Sequence, residues 1–409
     1  MPEQRKIVTA IPENSETPLD QVRSWVTPNS LFFVRNHFDP PHIDVSGWRL
    51  RVEGCVQRSI EWSFDDLLAL PERTVFATVE CAGNGRSFLG PRVPGVPWGA
   101  GAIGHAEWTG VPVRLLLERC GLEPSALEIL FEGADRGTEP GHPEPIPFAR
   151  SLPLAKAMHA DTLLAVRMNG ELLNQAHGSP VRLFVPGWYG VASVKWLQRI
   201  EVLDSHFRGY FQTTKYTFQR RTGKGIRAPA SVSSSSDGNE TVSYLETVVV
   251  GPMAVKSEII RPKSSDLVGI GANRVVGLAW AGEEAVAHVD ISTDGGQTWM
   301  KANLIGPQAP YSWTLWEYLW ELAQPGSYSL LARTTSTGGR VQPMEYDPLH
   351  GGYLIDFCRP LTVHVAAATH IYAQTGTTDA LLFDMNAYAE ENMRLPLDVD
   401  VQYSSGGGI

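Results

Sequence analysis

Cysteine is scarce in this chain: Cys55, Cys81, Cys120 and Cys358 are the four among 409 residues. No two form a C-x-x-C pair, which argues against a zinc knuckle or a dithiol redox motif. Four thiols in so long a chain do not build a disulfide scaffold either. Positive charge is also short, with 34 Lys and Arg against 44 Asp and Glu and a formal net charge of -10. A broad nucleic-acid surface needs the opposite balance, so no nucleic-acid partner is expected. A small anion is not excluded, because a few arginines in one pocket create a local positive field. Long apolar runs are missing as well; none approaches the roughly 20 residues of a membrane span, and no membrane partner is expected. The opening Met1-Pro2-Glu3-Gln4-Arg5-Lys6 shows neither a hydrophobic signal core nor a twin-arginine pair. The expectation is a cytoplasmic protein, or a periplasmic one if a leader has been removed.

What is present is ordinary globular composition, 43% apolar and 19% charged, and a length that predicts two domains. The first half reads as mixed α and β structure. Trp48 to Gly54 alternates like a half-buried strand, and Ser63 to Pro71 fits a short helix that Ser63 caps and Pro71 stops. Thr74 to Glu80 is a strongly β-forming run. Val113 to Cys120 supplies a second amphipathic helix closed by Gly121. Val181 to Val185 and Leu197 to Val202 read as strands. Ser231 to Asn239 is low-complexity sequence and predicts a mobile loop. Beyond it the pattern turns all-β: Val275 to Trp280, Ala285 to Ser292, a hairpin turn at Thr293-Asp294-Gly295-Gly296, then Tyr328 to Thr334 and Leu361 to Val365. Short strands with Gly-rich turns predict an immunoglobulin-like sandwich. The aromatic run Tyr311, Trp313, Trp316, Tyr318 and Trp320 suits an interface or a core equally. The predicted division is 1–250, 251–365 and a C-terminal extension 366–409 with a disordered Ser-Gly end.

The chemistry is expected at Glu80-Cys81-Ala82-Gly83-Asn84-Gly85-Arg86. A strand ending here presents a thiol at a tight turn. The glycines permit backbone angles closed to other residues and let a large ligand approach the main chain. Arg86 adds a fixed charge that favours the thiolate, a soft ligand for a redox metal. A merely packed thiol needs none of these neighbours. Cys55, Cys120 and Cys358, set in apolar runs, read as small hydrophobes. On local sequence alone a cysteine hydrolase with His37 or His177 as base remains open.

The loop resembles the molybdenum-ligating loop of the sulfite oxidase family. Other blocks agree in order: Phe33-Val34-Arg35-Asn36-His37, His177-Gly178-Ser179-Pro180-Val181-Arg182, Pro186-Gly187-Trp188-Tyr189-Gly190 and Ser193-Val194-Lys195-Trp196-Leu197. Ser292 to Trp299 is similar to the family's dimerisation-domain hairpin. The resemblance implies an α+β molybdopterin-binding domain followed by the all-β immunoglobulin-like sandwich. It also implies a pyranopterin-dithiolene molybdenum cofactor with Cys81 as metal ligand, and His37, His177, Arg182 and Lys195 binding the pterin and its phosphate. Arg35 and Tyr216 match substrate-side positions, with Arg86 beside them. A two-fold homodimer is implied too.

The match departs from the family pattern at three points. Gly85 replaces the first of two arginines found in many eukaryotic relatives. His350, in Asp347-Pro348-Leu349-His350-Gly351, stands where sulfite-oxidising relatives have an arginine. A histidine is charged only below its pKa of ~6.5, so anion affinity is expected to be weaker or pH-dependent, unless Arg340 or Arg359 compensates. Finally, no haem-binding segment is present in this chain, so electrons are expected to leave to a separate acceptor such as a cytochrome c. The reaction implied is oxidation of sulfite to sulfate, with Arg35, Arg86, Tyr216 and His350 at the catalytic side. The alternatives are reduction of a sulfoxide or other small oxyanion at the same centre, the hydrolase, and a cofactor-binding protein without turnover.

Overall fold

Alternation of apolar and polar residues decides most of this fold. In the strand Arg49–Gly54, Leu50 and Val52 point inward while Arg49 and Arg51 face solvent, the period of two that a half-buried strand requires. The computed structural model describes residues 4–22, 24–226, 241–264 and 266–366. The expected mobile loop Ser231 to Asn239 and the extension beyond Ala366 lie outside the described residues.

The first part of the chain holds two five-stranded sheets. One orders Glu171–Leu172, Leu163–Met168, Ile103–Pro112 and Arg73–Glu80, with Arg182–Phe184 also paired to Leu163–Met168. The other orders Ile60–Ser63, Arg49–Gly54, Leu197–Leu203, Glu128–Glu139 and His142–Pro153. Its one parallel pairing joins Arg49–Gly54 to Leu197–Leu203. A hairpin of Thr217–Ile226 and Thr241–Val249 follows.

Helix is rarer than a mixed α and β reading implies. Among the described residues the α-helices are Phe64–Leu68, Val113–Cys120, Leu154–Ala157 and Tyr210–Thr213. The reason lies in composition: 39 Gly and 29 Pro interrupt helices before they can grow past their costly first turn. Where the local signals were complete, helix did form. Ser63 accepts from the Asp66 N–H at 3.1 Å, and the Asp66 carboxylate accepts from the Ser63 N–H at 2.9 Å, a closed capping box.

The second part is two sheets packed on a shared core. Lys256–Arg261, Gly271–Trp280, Thr314–Leu322 and Asn303–Ile305 form one; Leu267–Gly269, Leu361–Ala366, Gly326–Ser336, Val286–Ser292 and Met300–Lys301 form the other. Val275 and Trp316 from the first sheet meet Val289, Leu330 and Val363 from the second. The hairpin at Thr293 to Gly296 forms as expected, though the returning strand begins at Met300, one residue past Trp299. Of the aromatic run, Trp313, Trp316 and Trp320 are core residues.

The two parts share a further apolar cluster, in which Leu19, Val22, Trp25 and Ile103 pack against Ile260, Leu278, Trp280, Trp313 and Leu315. Each indole N–H of Trp25 and Trp313 donates to the other's main-chain carbonyl, at 3.1 and 2.9 Å. Large side chains buried with their polar atoms satisfied, each worth ~1.5–3 kcal/mol of apolar transfer, make this junction a firm one.

Candidate active site

Three chain segments carry most of the residues that line one cavity. The first is the strand Arg73–Glu80, held antiparallel to Ile103–Pro112 with Glu80 opposite Ile103. The Cys81 N–H extends that ladder to the Ala102 carbonyl at 2.9 Å, and the Asn84 N–H then closes a turn on the Cys81 carbonyl at 2.8 Å. Gly85 sits at φ +96°, a left-handed angle that glycine adopts without penalty. Asn84 braces the turn twice: its side-chain oxygen accepts from the Ala102 N–H, and its amide donates to Glu80, each at 3.0 Å.

The second segment carries Arg35, Asn36 and His37. The His37 ring stacks on Phe148 with centroids 4.4 Å apart, and its Nε2 lies 2.5 Å from the Tyr216 hydroxyl. Burial, aided by the charges of Arg35, Lys215, Lys195 and Arg150, holds the His37 pKa well below 6.5. Burial likewise pushes Tyr216 up to about 12. Both groups are therefore neutral at pH 7 and share one proton, its direction set by the imidazole tautomer.

The third segment brings His177, Arg182 and Lys195. His177 closes a 3-10 turn capped by Asn174 and faces the Asn29 carbonyl at 3.3 Å; burial beside Arg182 and Lys195 takes its pKa to about 3. Arg182 donates to the carbonyls of His177 and Ser193, both at 3.2 Å, while its buried Nε has no partner among the described residues. Burial lowers its pKa to about 10. The Lys195 ammonium donates to the Ala176 carbonyl at 2.9 Å and to the Asn36 side chain, 4.1 Å above the Trp196 ring.

Seven of the nine residues singled out in the sequence line this one cavity: Arg35, His37, Cys81, His177, Arg182, Lys195 and Tyr216. Arg86 and His350 do not. The Arg86 guanidinium is buried and donates to the Gly352 carbonyl at 3.1 and 2.9 Å and to the Val96 carbonyl at 3.0 Å. It also occupies the space above Gly83, where a Cβ would lie 2.3 Å from it. That glycine therefore makes room for Arg86 as well as for any ligand. His350 turns its ring edge-on to Phe218 and Tyr346, at 5.2 and 5.8 Å. Arg340 is bound to Glu284 and the Ala281 carbonyl, and Arg359 to Glu258, so neither arginine stands in for a guanidinium at position 350.

Cavity residues that the sequence did not single out include Asp135, Ser193 and Trp196. Burial raises the Asp135 pKa to about 7, against the pull of Lys195, and its Oδ1 has no partner among the described residues. An acid four residues after the apolar run Ile129 to Phe131, on the strand Glu128–Glu139, carries no motif that marks it. Trp196 and Tyr216 both hold positive φ, 50° and 60°, the sort of strain that surrounding structure must sustain and that gathers at functional sites.

The donor set has a clear chemical preference. Arg35, Arg182 and Lys195 face a single carboxyl, that of Asp135, inside a largely buried cavity. Such a cation excess calls for an anionic occupant of phosphate type. Cys81 shares the cavity, yet no three His, Cys, Asp or Glu side chains converge as a metal-ligand group among the described residues. A metal bound at Cys81 would thus draw most of its ligands from an organic cofactor. His37 and His177 are engaged with Tyr216 and Asn29, and no hydrogen bond joins either to the Cys81 thiol among the described residues; the hydrolase arrangement is not formed.

Residues 37–211 match the model of the oxidoreductase molybdopterin binding domain, and residues 248–349 that of the Mo-co oxidoreductase dimerisation domain. Fold and site together define an oxidoreductase whose cofactor is molybdenum-molybdopterin, and the cavity's thiol, cations and unpartnered polar atoms fit that group. The chain is 35% identical to sulfite oxidase of Gallus gallus over 353 residues, covering 83% of this chain and 72% of that one. It is 34% identical to mitochondrial sulfite oxidase of Homo sapiens, covering 84% of this chain and 62% of the longer human protein. This chain belongs to the sulfite oxidase family. The sulfane dehydrogenase SoxCD from Paracoccus pantotrophus superposes with a TM-score of 0.72 at 26% identity, covering 89% of this chain and 90% of that one.

Proposed function

We propose that this enzyme oxidises sulfite to sulfate, taking the added oxygen from water and releasing two protons and two electrons per turnover. The observation that carries the reading is the convergence of the Cys81 thiol with a buried cation excess in one cavity. Cys81 would hold the molybdenum; His177, Arg182 and Lys195 would hold the pterin and its phosphate. When bound, the cofactor supplies two-electron exchange coupled to oxygen-atom transfer. Arg35 draws the anion to the Cys81 side and fixes its orientation through charge-assisted hydrogen bonds. The Tyr216–His37 pair holds a proton beside it, and the aromatic walls from Phe33 and Phe148 limit water. Arg86 acts on this region at a distance, as a fixed charge that, after Arg35, partly offsets the rise burial imposes on the Tyr216 pKa.

The electrons pass to a separate acceptor, a cytochrome c being the chemical class that suits one-electron steps. We divide the chain into a catalytic domain 1–250, an immunoglobulin-like dimerisation domain 251–365 and an extension 366–409. The two packed sheets support the sandwich reading, and the match to a dimerisation domain supports a homodimer. Four free thiols suit a reducing, cytoplasmic setting.

Natively expressed protein should contain molybdenum and pterin in equal amounts and show a Mo(V) paramagnetic signal on adding sulfite, and Cys81→Ser should abolish turnover. Sulfite oxidation by molybdenum-free protein would overturn the reading. A second reading, reduction of a neutral sulfoxide, is favoured by one observation: of Arg35, Arg86 and His350, only Arg35 lines the cavity. It predicts no sulfite turnover but rapid reoxidation of the reduced enzyme by a sulfoxide.

A further inference from the structure

The residue just before Cys81 is held by the other domain. Glu80 is 2% exposed, and its carboxylate accepts three hydrogen bonds. The Lys256 ammonium donates to Oε1 at 3.1 Å, the Asn84 amide to the same oxygen at 3.0 Å, and the Trp280 indole to Oε2 at 2.9 Å. Lys256 is itself 5% exposed. It opens the strand Lys256–Arg261 directly opposite Trp280, the last residue of Gly271–Trp280, so one sheet end supplies both donors.

A buried ion pair is a poor way to glue two domains. Desolvation offsets most of the Coulomb gain, and apolar residues of similar volume hold as well or better. Adhesion is already provided beside it by the cluster around Trp25 and Trp313. What the ion pair adds is direction. Lys256 and Trp280 take both carboxylate oxygens of Glu80 from one side, and Asn84 ties the far end of the turn to the same carboxylate. The Cys81 turn is thereby clamped at residues 80 and 84 to a sheet of the second domain.

We propose that Lys256 is a positioning residue for the Cys81 sulfur: through Glu80 the second domain sets how the thiol is aimed into the cofactor cavity. The inference rests on reading Cys81 as the metal ligand. It makes the second domain part of the active site's support as well as a dimerisation module.

The test compares wild type with Lys256→Met and with the charge-free double variant Glu80→Gln/Lys256→Met, whose amide oxygen can still accept from Trp280. Two readouts are taken on the protein as isolated: amide hydrogen exchange of the peptide covering residues 80–88, and the shape of the Mo(V) resonance. Expected for Lys256→Met is exchange about tenfold faster in that peptide, as for local opening, with the strands of the second domain unchanged and the Mo(V) resonance shifted. Should that variant fail to fold, the double variant carries the test and should show the same local loss. Wild-type exchange and an unshifted resonance in the folded variants would overturn the proposal. So would faster exchange spread evenly over both domains, which marks mere adhesion. Wild-type protein lacking molybdenum would sink the functional reading instead, while the exchange comparison would still report on the clamp.

Discussion

In the proposed reaction, the Tyr216 hydroxyl and His37 Nε2, 2.5 Å apart, are the pair that would handle the proton near Cys81. Removing the hydroxyl leaves a buried imidazole nitrogen without its partner and removes a donor beside the reacting anion. Tyr216→Phe should therefore lower kcat by roughly 10²-fold, the usual scale for losing a positioned proton-transfer group, with molybdenum content unchanged; steady-state assays paired with metal analysis check this. A third buried histidine, outside the cavity, also ties stability to pH. His105 is fully buried among Trp25, Phe76 and Trp313, and burial depresses its pKa from 6.5 to about 3. Between those values the unfolded chain binds a proton that the native state refuses, so stability falls as pH drops from 6.5 toward 3 and is level above 6.5 as far as this residue is concerned. Urea unfolding of wild type and His105→Gln should show the wild type losing ground to the variant over that window. A difference independent of pH would contradict the assignment.

Local signals were complete in some elements and absent in others. The helix Phe64–Leu68 carries its own stop and start, and its capping box is exposed and separate from the cavity. Ser63→Ala should cost about 1 kcal/mol in denaturant unfolding and leave sulfite turnover untouched. The strand that delivers Cys81 was equally legible, because a β-branched run followed by a glycine-rich turn has few other outcomes. The element that closes on the turn from behind was not. Residues 346–354 return from the second domain, and Leu354 N–H bonds the Ala82 carbonyl at 3.0 Å while Gly352 accepts Arg86. Only the family resemblance, through His350, brought that segment toward the site; its residue types do not announce the partner, since the contact spans some 270 positions of chain.

Across the whole molecule, the buried junction around Trp25, Trp280 and Trp313 joins a catalytic part to a two-sheet part that matches a dimerisation domain. Light scattering at micromolar concentration should return twice the chain mass. A monomer at those concentrations would remove the proposed dimer.

Residue types and their local order were sufficient to determine the Cys81 turn and the strand that leads into it, while the resemblance to the sulfite oxidase family picked out the cations and histidines that line the cavity. The turn and its strand depend on short-range chemistry: β-forming residue types and the conformational freedom of Gly85. Tertiary structure alone decided which charges remain free. Arg86 and His350 looked like anion-binding residues by position, yet the carbonyls of Val96 and of the distant Gly352 take up the first, and the second turns its ring to Phe218 and Tyr346. Asp135 looked like any surface acid and instead faces the cavity. Whether a charge also faces the cavity depends on where the fold carries its side chain, and adjacency along the chain does not encode that.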